Sequence, residues 1–268
     1  MTFEPNERVS IILGDDGVAQ VRLTRPDKMN ALDPEMFARI TQAGEALHTM
    51  KGLRAVVLSG EGRSFCAGLD TASLGNPSAD RPATLAERTH GDSNWVQQVA
   101  TQWRKLPVPV VCAIHGVCFG GGIQIASGAD IRVAAPDARM AIMELKWGLV
   151  PDMGGYSLWR GLVRDDMLRE LIYTNREFTG EDALAYGLAT FVDSDPHARA
   201  TQIAATIAAR NPHAIRAAKR LSNAMHEHGN DRLLIEESRE QDGIMKTENQ
   251  VEAVMAGMAK RAPKFQDV

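Results

Sequence analysis

The chain has 268 residues, enough for one large domain or for a core of about 200 residues with a smaller helical appendage. Its residues are 44% apolar and 24% charged, the mix of a globular protein with a sizeable core, and with only 5% aromatics that core is mainly aliphatic. A net charge of −4 argues against generic nucleic-acid binding, which needs a basic surface, but leaves room for a few local Arg and Lys to hold a small anion.

In chain order, Val9–Leu13 and Val18–Leu23 alternate apolar and polar residues around Gly14-Asp15-Asp16-Gly17, which predicts a β-hairpin. Asp33-Pro34 supplies an N-cap with proline at the first helical position, and the apolar spacing that follows predicts a helix over Pro34–Met50. Arg54–Ser59 is a short apolar run that reads as a strand buried on both faces. Residues Thr71–His90 read as a loop, and Val96, Val99, Ala100 and Trp103 restore helical spacing before Pro107 and Pro109 end it. Val110–His115 is a further buried strand, Gly116–Gly122 a glycine-rich turn, Ile123–Ser127 the start of a helix and Asp130–Ala134 another strand.

From Asp165 the pattern turns helical, over Asp165–Tyr173, Gly180–Tyr186, Pro196–Arg210, Pro212–Met225, Arg232–Ile244 and Glu248–Met258, with one strand-like interruption at Ala189–Asp193. Strands alternating with helices and then a run of helices define an α/β core, residues 1–195, followed by a helical C-terminal region, residues 196–268. Cys66, Cys112 and Cys118 are odd in number and lie in apolar stretches, as buried thiols of a reducing compartment do. No second ligand pair accompanies Cys112 and Cys118, so no metal site is expected. Residues Met1–Ser10 lack the apolar segment of a signal peptide, and no apolar run reaches the roughly 20 residues of a membrane helix. The expected location is the cytoplasm, with no membrane partner.

Three segments carry possible chemistry. Gly60–Asp70 follows a buried strand, and its Ala67-Gly68 pair lets backbone pass close to a ligand, although a simple turn is the better reading when the segment is taken alone. His115–Gln124 places three consecutive glycines between a strand and a helix; either tight packing or a helix N-terminus open to an anion accounts for them. No GxGxxG fingerprint and no GK[ST] of a P-loop is present. In Met143–Gly155, Glu144 and Asp152 flank a Gly- and Pro-containing turn in apolar surroundings, where burial raises a carboxyl pKa into the range of a useful acid or base. For Asp152 taken alone, a surface carboxylate capping the segment after it is an equally good reading. His226-Glu227-His228 reads as surface histidines on consecutive helical positions, and His115 as a satisfied core histidine. No serine sits in a G-x-S-x-G elbow.

Taken in register, these segments resemble the crotonase superfamily, the enoyl-CoA hydratase/isomerase family. The resemblance runs from about Val9 to Phe265 and includes Arg25–Leu32, Phe65–Asp70, His115–Gln124, Glu144–Gly155 and the terminal Lys260–Phe265. It implies a spiral of ββα units with a helical C-terminal trimerisation region, assembled as a homotrimer or hexamer. It also implies an acyl-CoA thioester substrate, no cofactor besides the coenzyme A carried by that substrate, and an oxyanion hole made by the N–H groups of Leu69 and Gly121. Two such donors aimed at a developing enolate are worth several kcal/mol. Arg25, Lys28, Ala67, Asp70, Lys264 and Phe265 match positions beside coenzyme A, the last two as tail residues that can reach a neighbouring subunit's site. The loop Thr71–His90 and the helix after it would shape the acyl pocket.

The departures narrow the chemistry. Hydratases of this family place glutamates at the positions of both Gln124 and Glu144. An amide can orient water but cannot exchange a proton at neutral pH. The resemblance therefore implies double-bond isomerisation ahead of hydration, with Glu144 as the retained base. Asp152 matches an aspartate of dienoyl-CoA isomerases, whose third acidic residue is Gln124 here. Chlorobenzoyl-CoA dehalogenases share the aspartate but carry tryptophan where this chain has Glu144, which disfavours dehalogenation. Thioester hydrolysis, another acyl-CoA lyase reaction, or CoA binding without catalysis are the alternatives on the same scaffold.

Overall fold

The computed structural model describes residues 6–73 and 84–268. Its strands are β1 (Val9–Leu13), β2 (Val18–Leu23), β3 (Ala55–Gly60), β4 (Val110–Ile114), β5 (Val117–Phe119), β6 (Ile131–Ala134), β7 (Arg139–Ala141) and β8 (Phe191–Val192). The helices are α1 (Pro34–His48), α2 (Trp95–Lys105), α3 (Gly121–Ser127), α4 (Gly155–Trp159) and α5 (Asp165–Thr174). They continue as α6 (Gly180–Tyr186), α7 (Pro196–Ala208), α8 (Pro212–Ala224), α9 (Asn230–Ile244) and α10 (Glu248–Met258).

The hairpin forms as read, with Ile11 opposite Val21 in an antiparallel pair. From β2 onward the main sheet is parallel, in the order β1-β2-β3-β4-β6-β8. Alternate residues of its strands feed two layers. Val21, Leu23, Val56, Leu58, Cys112 and Ile114 face the core shared with α1 and α2, where Phe37, Ile40, Leu47, Val99 and Trp103 are buried. Val18, Ala55, Val57, Val111, Ala113 and Val133 face the opposite side, which α7 covers with Ala200, Ala204 and Ala208 at four-residue spacing. Both faces of β3 and β4 are thus covered, as their unbroken apolar runs require.

The helix starts follow their capping residues. The Asp33 carboxylate accepts from the Met36 N–H at 2.8 Å with Pro34 at the first position, a cap worth about 1 kcal/mol. Asn94 and Gln97 form a reciprocal capping box at the start of α2. Behind the sheet, the buried Lys219 of α8 donates to the carbonyls of Trp103 and Val108 and to the Asp130 carboxylate, at 3.0, 2.8 and 2.9 Å.

Several expectations are corrected. The supposed glycine turn contains β5, which pairs in parallel with β7 to make a second, two-stranded sheet, and α3 begins at Gly121 rather than Ile123. Neither three-residue strand, nor the five-residue α4, is long enough to produce a periodic pattern. The strand expected over Ala189–Asp193 narrows to β8, and the helix expected over Pro34–Met50 ends at His48. His115 is not a core residue: it is half-buried, its Nε2 2.9 Å from the Gly62 carbonyl oxygen. His226, Glu227 and His228 lie past the end of α8, and His228 pairs with Glu236 at 2.8 Å. Of the loop expected over Thr71–His90, Thr71–Ser73 forms a 3-10 turn and residues 74–83 lie outside the described residues. No helix among the described residues is long and apolar enough to cross a membrane.

Candidate active site

The first wall of the site is the turn after β3. Asn30, fully buried, holds it from beneath: its side-chain amide donates to the carbonyls of Glu61, Ser64 and Phe65 at 3.0, 2.9 and 3.1 Å, while its Oδ1 accepts from the Arg25 N–H at 2.8 Å. The Cys66 thiol donates to the Asn30 carbonyl at 3.1 Å and accepts from the Gly68 N–H at 3.4 Å. Burial pushes this thiol up to about 12, so it stays protonated and acts as a neutral tie. A parallel bridge between Leu32 and Leu69 takes up the Gly68 carbonyl and the Asp70 N–H. Gly68 itself has φ +85°, the left-handed region that glycine enters without a Cβ clash.

The second wall is the β5–α3 junction. The Phe119 N–H donates to the Cys66 carbonyl and the Gly120 N–H to the Ala141 carbonyl, fixing the entry to α3. A Cβ on Gly122 would lie 2.5 Å from the Cys66 carbonyl oxygen, so the middle of the glycine run is small because the first wall presses against it. A Cβ on Gly68 would sit 3.5 Å from the Gly121 nitrogen. The two walls therefore meet at Leu69 and Gly121, whose N–H groups donate to no other group among the described residues. Two neighbouring free backbone donors in that setting can receive an oxyanion.

Glu144 stands beside them, in a 3-10 turn (Glu144–Trp147): a Cβ on Gly120 would be 3.5 Å from its Oε1. Oε1 accepts from Gln124 Nε2 at 2.6 Å, whereas Oε2 is buried without a hydrogen-bond partner. Burial, and to a lesser degree the charge of Asp152, raise the Glu144 carboxyl above the usual carboxylate range despite the Gln124 bond. Asp152 is exposed as a residue, yet enough protein surrounds its carboxyl for desolvation to raise it as well. Its neighbours Trp147, Leu149, Val150 and Tyr156 are also exposed, making an apolar rim.

Gln124 does not face open space, as a water-orienting amide would. It is fully buried, and its Oε1 accepts from the N–H groups of Met153 and Gly155 at 2.9 and 3.0 Å.

The expected coenzyme A positions divide. Arg25 and Asp70 meet each other at 2.8 Å, Arg25 also pairs with Asp33 at 3.4 Å, and the guanidinium is therefore occupied within the first wall. Lys28 is exposed beside it, and the Ala67 N–H donates to the Met29 carbonyl. Lys264 and Phe265 lie elsewhere. The Lys264 N–H donates to Glu252, and the Phe265 carbonyl accepts from Arg54, the residue before β3, at the opposite end of that strand from Leu69. Asn30, Cys66, Met153 and Gly155 are structural parts of the site that residue-type reasoning passed over. For Asn30 the signal available was its place in the Arg25–Leu32 motif; for the Met153 and Gly155 N–H groups there was none.

A parallel sheet flanked by helices carries, beyond the carboxyl ends of its strands, two backbone N–H donors without partners among the described residues and a half-buried glutamate, an arrangement that can hold an oxyanion next to a proton-transfer group. Residues 14–268 match the family model described as enoyl-CoA hydratase/isomerase, and the chain belongs to that family. The mouse mitochondrial Delta(3,5)-Delta(2,4)-dienoyl-CoA isomerase is 30% identical over 266 residues, covering 96% of this chain and 81% of the mouse protein. A peroxisomal enzyme of the same description from Arabidopsis thaliana is 29% identical, covering 99% of both chains. The crystal structure of an enoyl-CoA hydratase from Bacillus anthracis superposes with a TM-score of 0.87 at 26% identity, covering 96% of this chain and 98% of that one. The protein is an enzyme of the hydratase/isomerase type, with the crotonase fold.

Proposed function

We propose that this enzyme shifts double bonds in enoyl- or dienoyl-CoA thioesters, and that it does so in preference to hydrating them. The observation that carries this reading is the Glu144 carboxyl, with Oε1 next to Gly120 and Oε2 buried without a hydrogen-bond partner, close to the turns that carry the free N–H groups of Leu69 and Gly121. Glu144 removes the proton on the α carbon, and the electron pair of that C–H bond moves into the conjugated system and onto the thioester oxygen. The two N–H groups stabilise the resulting negative charge. Return of the proton at the γ carbon collapses the enolate and leaves the double bond one position along. In a dienoyl substrate the far carbon lies beyond Glu144: Asp152, in its protonated form, supplies the proton there, and the proton held by Glu144 then passes to Asp152 by way of solvent, restoring both groups.

Gln124 supports isomerisation over hydration because it leaves Glu144 without the second exchangeable carboxyl that activates water in the family's hydratases. The dienoyl-CoA isomerase relatives point the same way. Lys28 and the Ala67–Asp70 backbone form the side from which coenzyme A enters, with Arg25 bracing Asp70. Lys264 and Phe265 reach a coenzyme A site only across a subunit boundary. The apolar residues left exposed on α9 and α10, including Leu234, Ile235, Val254 and Met255, give a second copy a surface to cover, in a trimer or hexamer. An ultraviolet assay on 3-enoyl-, 2-enoyl- and 3,5-dienoyl-CoA, with product identification, tests the reaction. Thiol release without any double-bond shift would instead favour thioester hydrolysis.

A further inference from the structure

We propose that Gln124 is a positioning residue that restricts Glu144 to proton transfer through a single oxygen, Oε2, and that fixes this oxygen relative to the turn carrying Asp152. The inference rests on the proposed role of Glu144 as the base. It begins with the two unlike ends of an amide. The Met153 and Gly155 N–H groups can only donate, so they select the oxygen end of Gln124. The other end, Nε2, must then face Glu144, and it does so at 2.6 Å. A flipped amide would set N–H against two N–H groups and oxygen against a carboxylate. The cavity also forbids rotation: the side chain is fully buried, and a Cβ on Gly155 would lie 2.8 Å from Gln124 Oε1 and 2.6 Å from the Trp159 ring.

A fixed donor on Oε1 decides where Glu144 can carry a proton. A hydrogen on Oε1 would point at the hydrogens of Nε2, so Oε1 remains an acceptor in both protonation states. The proton is therefore taken and returned by Oε2, the oxygen without a hydrogen-bond partner, which is enclosed here and meets substrate only when the residues over it move aside. One oxygen suffices for a shift between α and γ carbons, which flank a single atom. The same amide binds backbone on either side of Gly154, immediately after Asp152, so one side chain sets the spacing of both carboxyls. This is a specific task for glutamine where a second carboxyl would compete for the proton.

The test uses Gln124→Met and Gln124→Glu in the full chain. Three readouts are followed: the double-bond shift, exchange of the α hydrogen of a saturated acyl-CoA in D2O, and the carboxyl titration of Glu144. The titration is read by carbon-13 NMR on Glu-labelled protein and assigned by the signal lost in Glu144→Gln. Loss of a hydrogen bond to a charged group predicts a fall in kcat of about 10- to 100-fold in Gln124→Met, with KM little changed. The Glu144 titration should move to higher pH, because the donor to its ionised form is gone. In Gln124→Glu the new carboxyl still accepts from Met153 and Gly155, and when protonated it donates to Glu144. Activity should therefore recover toward wild type on the acid side and fall as the shared proton leaves.

A Gln124→Glu enzyme that follows the wild-type profile at every pH overturns the proposal. So does a Gln124→Met enzyme that keeps its exchange rate within about twofold, or whose Glu144 titration does not move. If Gln124→Met does not fold, the acid-side recovery of Gln124→Glu decides alone. Wild-type protein that neither shifts a double bond nor exchanges an α hydrogen refutes the proposed base itself, and the titration then decides separately whether Gln124 holds Glu144.

Discussion

Gly68 and Gly121 approach so closely that a Cβ added to the first would sit 3.5 Å from the backbone nitrogen of the second, and 2.7 Å from the Phe119 carbonyl oxygen. This contact brings the Leu69 and Gly121 N–H groups to one place, and it leaves no room for a methyl group. Gly68→Ala should therefore both strain a backbone at φ +85° and push the two donors apart. Removing one oxyanion donor typically costs about 10²–10³-fold in kcat, and a loss in that range, with the protein still folded by circular dichroism, is the expected result.

Glu144→Gln removes the proton acceptor while keeping the shape and an oxygen at the same place. A general base is worth about 10²–10⁴-fold, and turnover should fall by that much in steady-state assays. A loss of tenfold or less would contradict the role given to Glu144.

The pH profile follows from the raised carboxyl. Glu144 must be ionised to act, so kcat/KM should rise with pH through a value above the ordinary carboxylate range. Asp152 adds to that upward shift by its charge, so Asp152→Asn should move this acid limb to lower pH. A limb that stays in place would show that the two carboxyls do not interact.

The same shift has a cost in stability. A carboxyl raised in the folded state contributes fully below its unfolded pKa, and the contribution is lost as pH rises through the folded value. Once ionised, Glu144 therefore weakens the fold, and above its folded pKa Glu144→Gln should raise the denaturation midpoint while lowering turnover. Near pH 3, where the carboxyl is protonated in both states, the gain should vanish. Urea titrations at the two pH values check both statements.

Lys219 is the clearest purely structural prediction. Its ammonium group is buried on three acceptors that join α8 to α2, to the segment before β4 and to Asp130. Asp130 is itself exposed, so the main effect of Lys219→Ala is to leave two buried carbonyls without a donor, a loss of about 1–3 kcal/mol by denaturant unfolding.

The legible parts of the fold were those with a period. β1 and β2 alternate, α1 shows its buried stripe of Met36, Phe37, Ile40 and Leu47, and β3 and β4 are continuous apolar runs. β5, β7 and α4 are too short to show one, and their pairing depends on distant segments. The site divides in the same way. Glycines, Glu144 and Asp152 declare themselves by residue type and by their order in the family resemblance. The bonds from Met153 and Gly155 to Gln124 run between backbone and side chain 29 and 31 residues apart, and no local pattern encodes them. Arg25 illustrates the converse: the family resemblance sets it beside coenzyme A, and only the fold shows its guanidinium paired with Asp70 and Asp33.

The most direct test of the central claim is a time course on 3,5-dienoyl- and 3-enoyl-CoA, in which ultraviolet absorbance follows new conjugation to the thioester and mass spectrometry follows addition of water. The structure predicts new conjugated thioester with no gain in mass, appearing in wild type and suppressed at least a hundredfold in Glu144→Gln. Water addition outpacing the double-bond shift, or a shift that survives Glu144→Gln, would contradict it.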